Sequence, residues 1–363
     1  MSLGQLSIQN LRCLQAVELD LHPRRNLIVG VNGSGKTSLL EAIFLLGRGR
    51  SFRTRNSERL ITHGESRLVV FGRTAPQDAP GAPVALGVQI TRGEPTVAKI
   101  QGEFARTLAD LSEALPVQVI DPGVHKLVED SAYRRRRWMD WATFHVEHGF
   151  VEVWANYTRA LKQRNAVLKQ GPCSSTAAAA QLAVWDVEVA QLGEKLAQSR
   201  RRMLMDLQPH WQETVSALAG LNLELGYFQG WARDTSLMQA LQGSRERDLA
   251  RGSTHAGPHR GDVLLKLDGK LAREILSRGQ QKLAASAMIL AQLRLLAGIL
   301  PEPPTLLLDD PAAELDPERL GRFLEQVAPL RCQLVLTSVT SGRQPFGPPD
   351  RMFHVEQGRV AEA

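Results

Sequence analysis

The sequence is poor in cysteine and has no long apolar run. Its three cysteines, Cys13, Cys173 and Cys332, stand far apart, which argues against a disulfide framework or a Cys-x-x-Cys metal site. No segment offers the about 18 uninterrupted apolar residues of a membrane span, and the first ten residues lack the regions of a secretion signal. We therefore expect a cytoplasmic protein with no membrane partner.

The charge balance is only mildly asymmetric. Lysine and arginine number 44 and aspartate and glutamate 38, so the net charge is +6, and 43% of the residues are hydrophobic. This composition is typical of a folded protein, and the basic excess permits contact with nucleic acid without requiring it. A length of 363 residues predicts one large domain or two to three smaller ones.

The hydrophobic pattern predicts an α/β protein with a helical insertion. Alternating apolar residues up to Ile100 indicate strands, including an antiparallel meander over residues 68–100. Residues 131–220 instead favour a hairpin of two long helices: the first carries Trp138 to Leu161, the second carries Leu182 to Leu204, and the segment 171–175 separates them. The predicted domains are 1–130, 131–220 and 221–363, the first and last forming one head.

A phosphate-binding motif follows the third predicted strand. The run Gly30-Val31-Asn32-Gly33-Ser34-Gly35-Lys36-Thr37 matches G-x-x-x-x-G-K-[ST] between an apolar strand and a helix. Glycines let backbone N–H groups surround the phosphates of ATP, Lys36 reaches the β- and γ-phosphates, and Thr37 offers a hydroxyl to Mg²⁺. A chance glycine turn is the alternative, but it does not explain the lysine and threonine.

Two acids end a later apolar run. Leu306 to Leu308 are followed by Asp309 and Asp310, as expected of a buried strand that delivers carboxylates to its C-terminal edge. Asp309 is expected to hold Mg²⁺, and Asp310 to orient or deprotonate the attacking water. A turn or a helix cap is the alternative.

A serine-glycine-glutamine motif begins another predicted helix. Ser277, Gly279 and Gln280 place a hydroxyl and unpaired N–H groups where a second phosphate could bind. Taken alone, this pattern is an ordinary helix N-cap.

The order of these motifs resembles the ATP-binding-cassette ATPases. The P-loop is followed by Ser277 to Gln280, by Asp309-Asp310 and by Glu314-Leu315-Asp316. The resemblance implies a P-loop ATPase head that forms an ATP-dependent homodimer, in which the P-loop of one copy faces Ser277 of the other. Lys36 and Ser277 are 277 − 36 = 241 residues apart, a separation that disfavours a transporter head.

Six segments of the chain together form a recognisable pattern: residues 6–12, 49–54, 135–140, 163–165, 257–260 and 277–282. This combination resembles the RecF family of SMC-like bacterial DNA replication and repair ATPases. The resemblance implies binding to duplex DNA and single-strand/double-strand junctions, slow DNA-stimulated hydrolysis, and RecA loading at gaps with RecO and RecR in the nucleoid during the SOS response. Ala313, Gly261 and Ser338 depart from the patterns of these families.

Two arginine-rich segments are candidate DNA contacts. Arg48, Arg50, Arg53 and Arg55 follow the P-loop helix, and the run Arg134–Arg137 opens a later helix. A solvated face or internal ion pairs are the alternative, and the second run favours that alternative more strongly.

Three other function classes are alternatives. A transport ATPase needs a compact head, which the helical insertion disfavours. An ATPase that serves a nuclease needs a metal domain after Asp310, but only 363 − 310 = 53 residues follow. A structural DNA clamp without hydrolysis fits the motifs and is distinguished by single-turnover ATPase measurement.

Overall fold

The computed structural model describes residues 2–75, 82–170, 176–314, 316–340 and 347–363. It divides into two compact units: unit 1 comprises Met1–Val124 and Ser286–Ala363, and unit 2 comprises His125–Ala285. The expected separator at 171–175 and Leu315 of the Glu314–Asp316 motif lie outside the described residues. Among the described helices, none combines the length and the apolar character needed to cross a membrane.

Unit 1 contains two six-stranded sheets. The first is antiparallel with strand order β2-β1-β4-β5-β6-β7, and it includes the expected meander. The second has order β15-β14-β3-β13-β12-β8 and is parallel except for β15. The strands are β1 Ser2–Leu11, β2 Leu14–Asp20, β3 Arg25–Val29, β4 Arg67–Ala75, β5 Val84–Thr91, β6 Val97–Ile100, β7 Glu103–Phe104, β8 Val117–Ile120, β12 Thr305–Leu308, β13 Leu334–Ser338, β14 Arg351–Glu356 and β15 Arg359–Glu362.

Helix α1, Lys36–Arg48, lies in the core of unit 1. Eleven of its thirteen residues are buried, because apolar side chains on almost every face pack against both sheets. Gly47 lets α1 approach β8, since a Cβ there would lie 2.5 Å from a side-chain carbon of Val117. The start of α1 is therefore held rigidly at the carboxyl end of β3.

The remaining helices of unit 1 are short or lie at its boundary. The boundary between the units falls within α10. These helices are α2 Ala109–Ala114, α10 Arg278–Ala297, α11 Pro311–Glu314 and α12 Pro317–Val327.

Unit 2 is built from helices and a three-stranded antiparallel sheet of order β11-β10-β9. Helices α5 and α6 form the expected antiparallel hairpin: Leu168 packs with Leu182, and Arg164 pairs with Asp186 further along. Its elements are α3 Lys126–Glu129, α4 Ala132–Val146, α5 Phe150–Leu168, α6 Thr176–Ala219, β9 Glu224–Phe228, α7 Leu237–Gly243, α8 Arg245–Arg251, β10 Asp262–Leu267, β11 Lys270–Leu271 and α9 Ala272–Ile275.

Three features differ from the expectations. The first long helix is two helices, because the chain turns through Gly149 at a φ of 78° between α4 and α5. Residues 221–285, expected in the head, belong to the same unit as the helices, since β9 and β10 contact α6 and α4. The hairpin of β14 and β15 was not expected, although buried Phe353 and Val355 alternate with exposed residues in β14.

Candidate nucleotide site and arginine loop

The P-loop connects β3 to α1 at the carboxyl edge of the parallel sheet. Gly33 and Gly35 have φ values of 81° and 121°, which residues with a Cβ rarely adopt. A Cβ on Gly30 would lie 2.3 Å from the carbonyl oxygen of Val355. These glycines allow the compact loop that presents its N–H groups at the start of α1.

Lys36 folds back over this loop. Its Nζ donates hydrogen bonds of 2.6 and 3.1 Å to the carbonyl oxygens of Gly30 and Val31, and the residue is buried. This buried ammonium group, whose partners among the described residues are carbonyl oxygens, supplies the positive charge expected beside bound phosphates. Ser34 Oγ is also buried in the loop and has no hydrogen-bond partner within the part of the chain that the structure describes.

The two sequence motifs meet at the first residues of α1. Thr37 Oγ1 lies 3.0 Å from both carboxylate oxygens of Asp309. Thr337 Oγ1, at the end of β13, donates a 2.9 Å hydrogen bond to Asp309 and accepts one of 2.8 Å from the N–H of Asp310. Hydroxyl and carboxylate oxygens are ligands that Mg²⁺ prefers, so these residues fit a nucleotide phosphate with its magnesium ion.

Asp310 adopts a left-handed backbone at the end of β12. Its φ is 48°, a region that aspartate and asparagine adopt more readily than most other residues except glycine. The hydrogen bond from its N–H to Thr337 holds this conformation.

The C-terminal hairpin contacts the P-loop. Between β14 and β15, the N–H of Gly358 donates a 2.9 Å hydrogen bond to the carbonyl oxygen of Ser34. Gly358 also lies against the β1–β2 turn, since a Cβ would be 2.1 Å from the carbonyl oxygen of Cys13. Strand pairing places β14 beside β3, which precedes the loop.

The serine-glycine-glutamine motif lies in unit 2. Ser277 Oγ accepts a 3.3 Å hydrogen bond from the N–H of Gln280, whose side chain accepts one of 2.9 Å from the N–H of Ser277. This reciprocal pair is a capping box at the start of α10. Ser277 and Arg278 are exposed, and Gly279 and Gln280 are half-buried, so this N-terminus is open to a ligand.

The segment after α1, which we call the arginine loop (residues 48–55), presents cations at the surface. Arg53 and Arg55 are exposed, whereas Arg48 and Arg50 are half-buried. The guanidinium group of Arg48 lies 5.5 Å from the ring centroid of Phe44. Two of the four predicted DNA contacts are therefore exposed at the surface.

Comparison with known proteins identifies the family. Residues 2–359 match the model for the RecF/RecN/SMC N-terminal domain. The chain is 40% identical to the DNA replication and repair protein RecF of Stutzerimonas stutzeri over all of this chain and 98% of the relative. It is 39% identical to that of Pseudomonas aeruginosa PAO1, with the same coverage.

The chain belongs to the RecF family. Its fold matches that of a solved structure of the recombination mediator protein RecF-ATP in the RecFOR pathway, with a TM-score of 0.88 and 25% identity over all of this chain and 97% of that one. An SMC head bound to the C-terminal winged-helix domain of ScpA has a TM-score of 0.59 at 15% identity, covering all of this chain and 98% of that one. The expected fold, an ABC-type ATPase head with an inserted helical region, is confirmed.

Several segments that resemble the RecF family form one buried cluster in unit 2. Arg164 is fully buried, and its guanidinium donates 2.7 Å hydrogen bonds to Asp186, Asp248 and Thr254. The carbonyl oxygen of Thr254 lies 3.0 Å from Nε2 of His259. The residues of 163–165 and 257–260 thus join α5, α6, α8 and the turn after α8 into one packed network.

The second arginine run forms contacts within unit 2, with Arg135 buried and Arg134 exposed. Arg135 is buried and forms a bidentate ion pair of 2.8 and 2.9 Å with Asp262. Arg136 donates a 2.7 Å hydrogen bond to the carbonyl oxygen of Gly261, and Arg134 pairs with Asp130 at 2.6 Å. These contacts favour the internal ion-pair interpretation over phosphate binding.

Sequence reasoning missed residues that act over long separations. Thr337 contacts Asp309 and Asp310, Gly358 contacts Ser34 of the P-loop, and no local motif marks either residue. For Glu41 the sequence does carry a signal. An acid within an otherwise apolar helix is uncommon unless it is paired, so this position predicts a buried ion pair.

Proposed function

We propose that this RecF-family protein binds and hydrolyses ATP at the P-loop of unit 1. The observation that carries the proposal is the pair of 3.0 Å contacts between Thr37 Oγ1 and the Asp309 carboxylate. These two residues are 309 − 37 = 272 positions apart and come from two different motifs. If the first motif were only a glycine turn and the second only a helix cap, nothing would require Thr37 and Asp309 to be in contact.

Each residue of the site has a distinct role in this proposal. The N–H groups of residues 30–37 and Lys36 bind the phosphates. Thr37 and Asp309 hold Mg²⁺, which when bound neutralises charge on the phosphate oxygens. Asp310 orients the attacking water and accepts its proton.

The second proposal is that ATP joins two copies of the chain. The capping box at Ser277 leaves an exposed helix N-terminus, which favours an anion through its unpaired N–H groups and helix dipole. Ser277, Gly279 and Gln280 of one copy then complete the nucleotide site of the other.

The third proposal concerns DNA and protein partners. Its support is the exposure of Arg53 and Arg55 and the name of the solved relative, a recombination mediator of the RecFOR pathway. The protein binds duplex DNA and single-strand/double-strand junctions, which stimulate a slow hydrolysis. With RecO and RecR it promotes RecA loading at gapped DNA in the cytoplasm.

The variant Asp309→Asn tests the nucleotide site. It keeps an oxygen near Thr37 but removes the charge that attracts magnesium. We expect ATP affinity in Mg²⁺ to fall by about tenfold or more, while affinity in EDTA stays within about twofold of wild type, as measured by fluorescent-nucleotide titration.

The matched control is Asp20→Asn, at the exposed end of β2. It removes the same charge from unit 1 without touching the P-loop, and both affinities should match wild type. Equal Mg²⁺ enhancement of ATP binding in Asp309→Asn and wild type would contradict the proposed site.

A further inference from the structure

Glu41 is a buried acid with a defined set of partners. It lies one turn beyond Thr37 on α1 and is fully buried. Arg12, in the β1–β2 turn, donates two hydrogen bonds to its carboxylate, one of them 3.0 Å from Nη2 to Oε1. This ion pair compensates the buried charge.

The same carboxylate fixes the arginine loop. Ser51 Oγ donates a hydrogen bond to Glu41 Oε1. Ser51 Oγ in turn accepts hydrogen bonds of 2.9 and 3.0 Å from the backbone N–H groups of Arg53 and Thr54. One buried hydroxyl therefore connects the nucleotide-binding helix to the backbone that carries Arg53 and Arg55.

Aromatic packing supports this anchor. Phe52, beside Ser51, packs edge-on against Phe44 of α1, with 5.4 Å between the ring centroids. The arginine side chains thus extend from a backbone that is fixed at Ser51 and Phe52.

We infer that Glu41, acting through Ser51, is the positioning residue that holds the arginine loop in the conformation that binds nucleic-acid phosphates. The inference rests on the proposed DNA-binding function. Glu41 contacts neither DNA nor nucleotide in this account. By holding the loop in one conformation, Glu41 reduces the conformational entropy that the loop loses when it binds DNA.

A positioning role and a contact role have different salt signatures. Loss of a phosphate contact flattens the plot of log affinity against log salt, by about 0.9 for each contact to duplex DNA. Loss of loop order instead weakens binding at every salt concentration, because the same arginines still reach the same phosphates after the loop orders. The slope therefore distinguishes the two roles.

The sharpest variant is Ser51→Ala, which removes the anchor and leaves the Arg12–Glu41 ion pair intact. We expect the amides of Arg53 and Thr54 to exchange hydrogen at least about tenfold faster than in wild type. Duplex-DNA affinity should fall by about tenfold with an unchanged salt slope. ATP affinity should stay within about twofold of wild type.

Two variants complete the design. Ser57→Ala makes the same change just beyond the loop, at the start of the 3-10 turn Ser57–Leu60, and should match wild type in exchange and binding. The double variant Arg50→Gln/Arg53→Gln removes candidate contacts without removing the anchor. It should flatten the salt slope and leave exchange at Thr54 unchanged.

Hydrogen exchange separates failure of the inference from failure of the proposed function. If wild type binds no DNA, or if the double arginine variant keeps its affinity and slope, the DNA assignment of the loop is wrong. If the arginine variant weakens binding but Ser51→Ala leaves both exchange and affinity at wild-type values, Glu41 and Ser51 do not position the loop.

Discussion

At the scale of single residues, His259 shows how burial fixes a protonation state. Its Nε2 faces the carbonyl oxygen of Thr254 at 3.0 Å and must carry the proton, so Nδ1 accepts the 2.7 Å hydrogen bond from the Tyr157 hydroxyl. Burial, together with the charges of Arg260 and Arg136, lowers the pKa of His259 to about 4. The ring is therefore neutral and structural at neutral pH.

This histidine predicts an acid-sensitive unit 2. Below the unfolded-state pKa of about 6.5, the unfolded chain binds a proton that the native chain does not, so the free energy of unfolding falls as pH decreases. Between pH 7 and pH 5 the loss from His259 is about 2 kcal/mol. Urea unfolding followed by tryptophan fluorescence measures this loss of unfolding free energy in unit 2, because all six tryptophans lie in that unit.

In His259→Gln this part of the pH dependence should disappear. The exposed His148, also in unit 2, supplies the control His148→Gln, which should retain the full dependence. If wild type and His259→Gln lose equal stability between pH 7 and pH 5, the buried neutral ring is not the cause.

Residue types that carry local chemistry were predictable from the sequence. Lys36 and Thr37 stand at a fixed spacing within one loop, and Asp309 stands at the end of one apolar strand. The position of each residue therefore depends only on its own local segment. Thr337, Glu41 and Ser51 were not predictable, since each acts through a partner that only tertiary folding brings near. Arg164 was singled out through the family resemblance, and its buried ion pairs give it a structural role.

At the scale of elements, the C-terminal hairpin contacts the P-loop. Its turn glycine, Gly358, has a φ of 80° and lies between the P-loop and the β1–β2 turn. The strands before α1 were predicted because their alternation is regular. The hairpin of β14 and β15 was missed because its strands have only six and four residues, and because β14 pairs with β3, which lies at the other end of the chain.

We expect Gly358→Ala to weaken ATP binding by about tenfold, because the Cβ clashes with the Cys13 carbonyl and displaces the turn from Ser34. Gly93→Ala is the matched control, since Gly93 lies in a turn of unit 1 at a φ of 74° with no atom within 4 Å of a Cβ. Similar ATP affinities for the two variants would show that the hairpin does not position the P-loop.

At the scale of the whole molecule, the chain consists of two units, and each carries a different part of the proposed nucleotide site. Unit 1 carries the P-loop, Asp309 and the arginine loop, whereas Ser277 lies in unit 2. The sequence indicated an insertion that ends at residue 220, whereas residues 221–285 belong to the same unit as the helices, because β9 and β10 form a separate sheet that contacts α6 and α4. In the proposed dimer, ATP joins the P-loop of one copy to Ser277 of another.

Light scattering with and without ATP tests this claim most directly. The chain has a mass of 40.0 kDa, and wild type should be a monomer without nucleotide and a dimer of 2 × 40.0 = 80.0 kDa in ATP. Lys36→Met should stay monomeric because it loses ATP, whereas Ser277→Arg should stay monomeric and still bind ATP. A Ser277→Arg protein that dimerises normally in ATP, or that loses ATP binding as a monomer, would contradict the account.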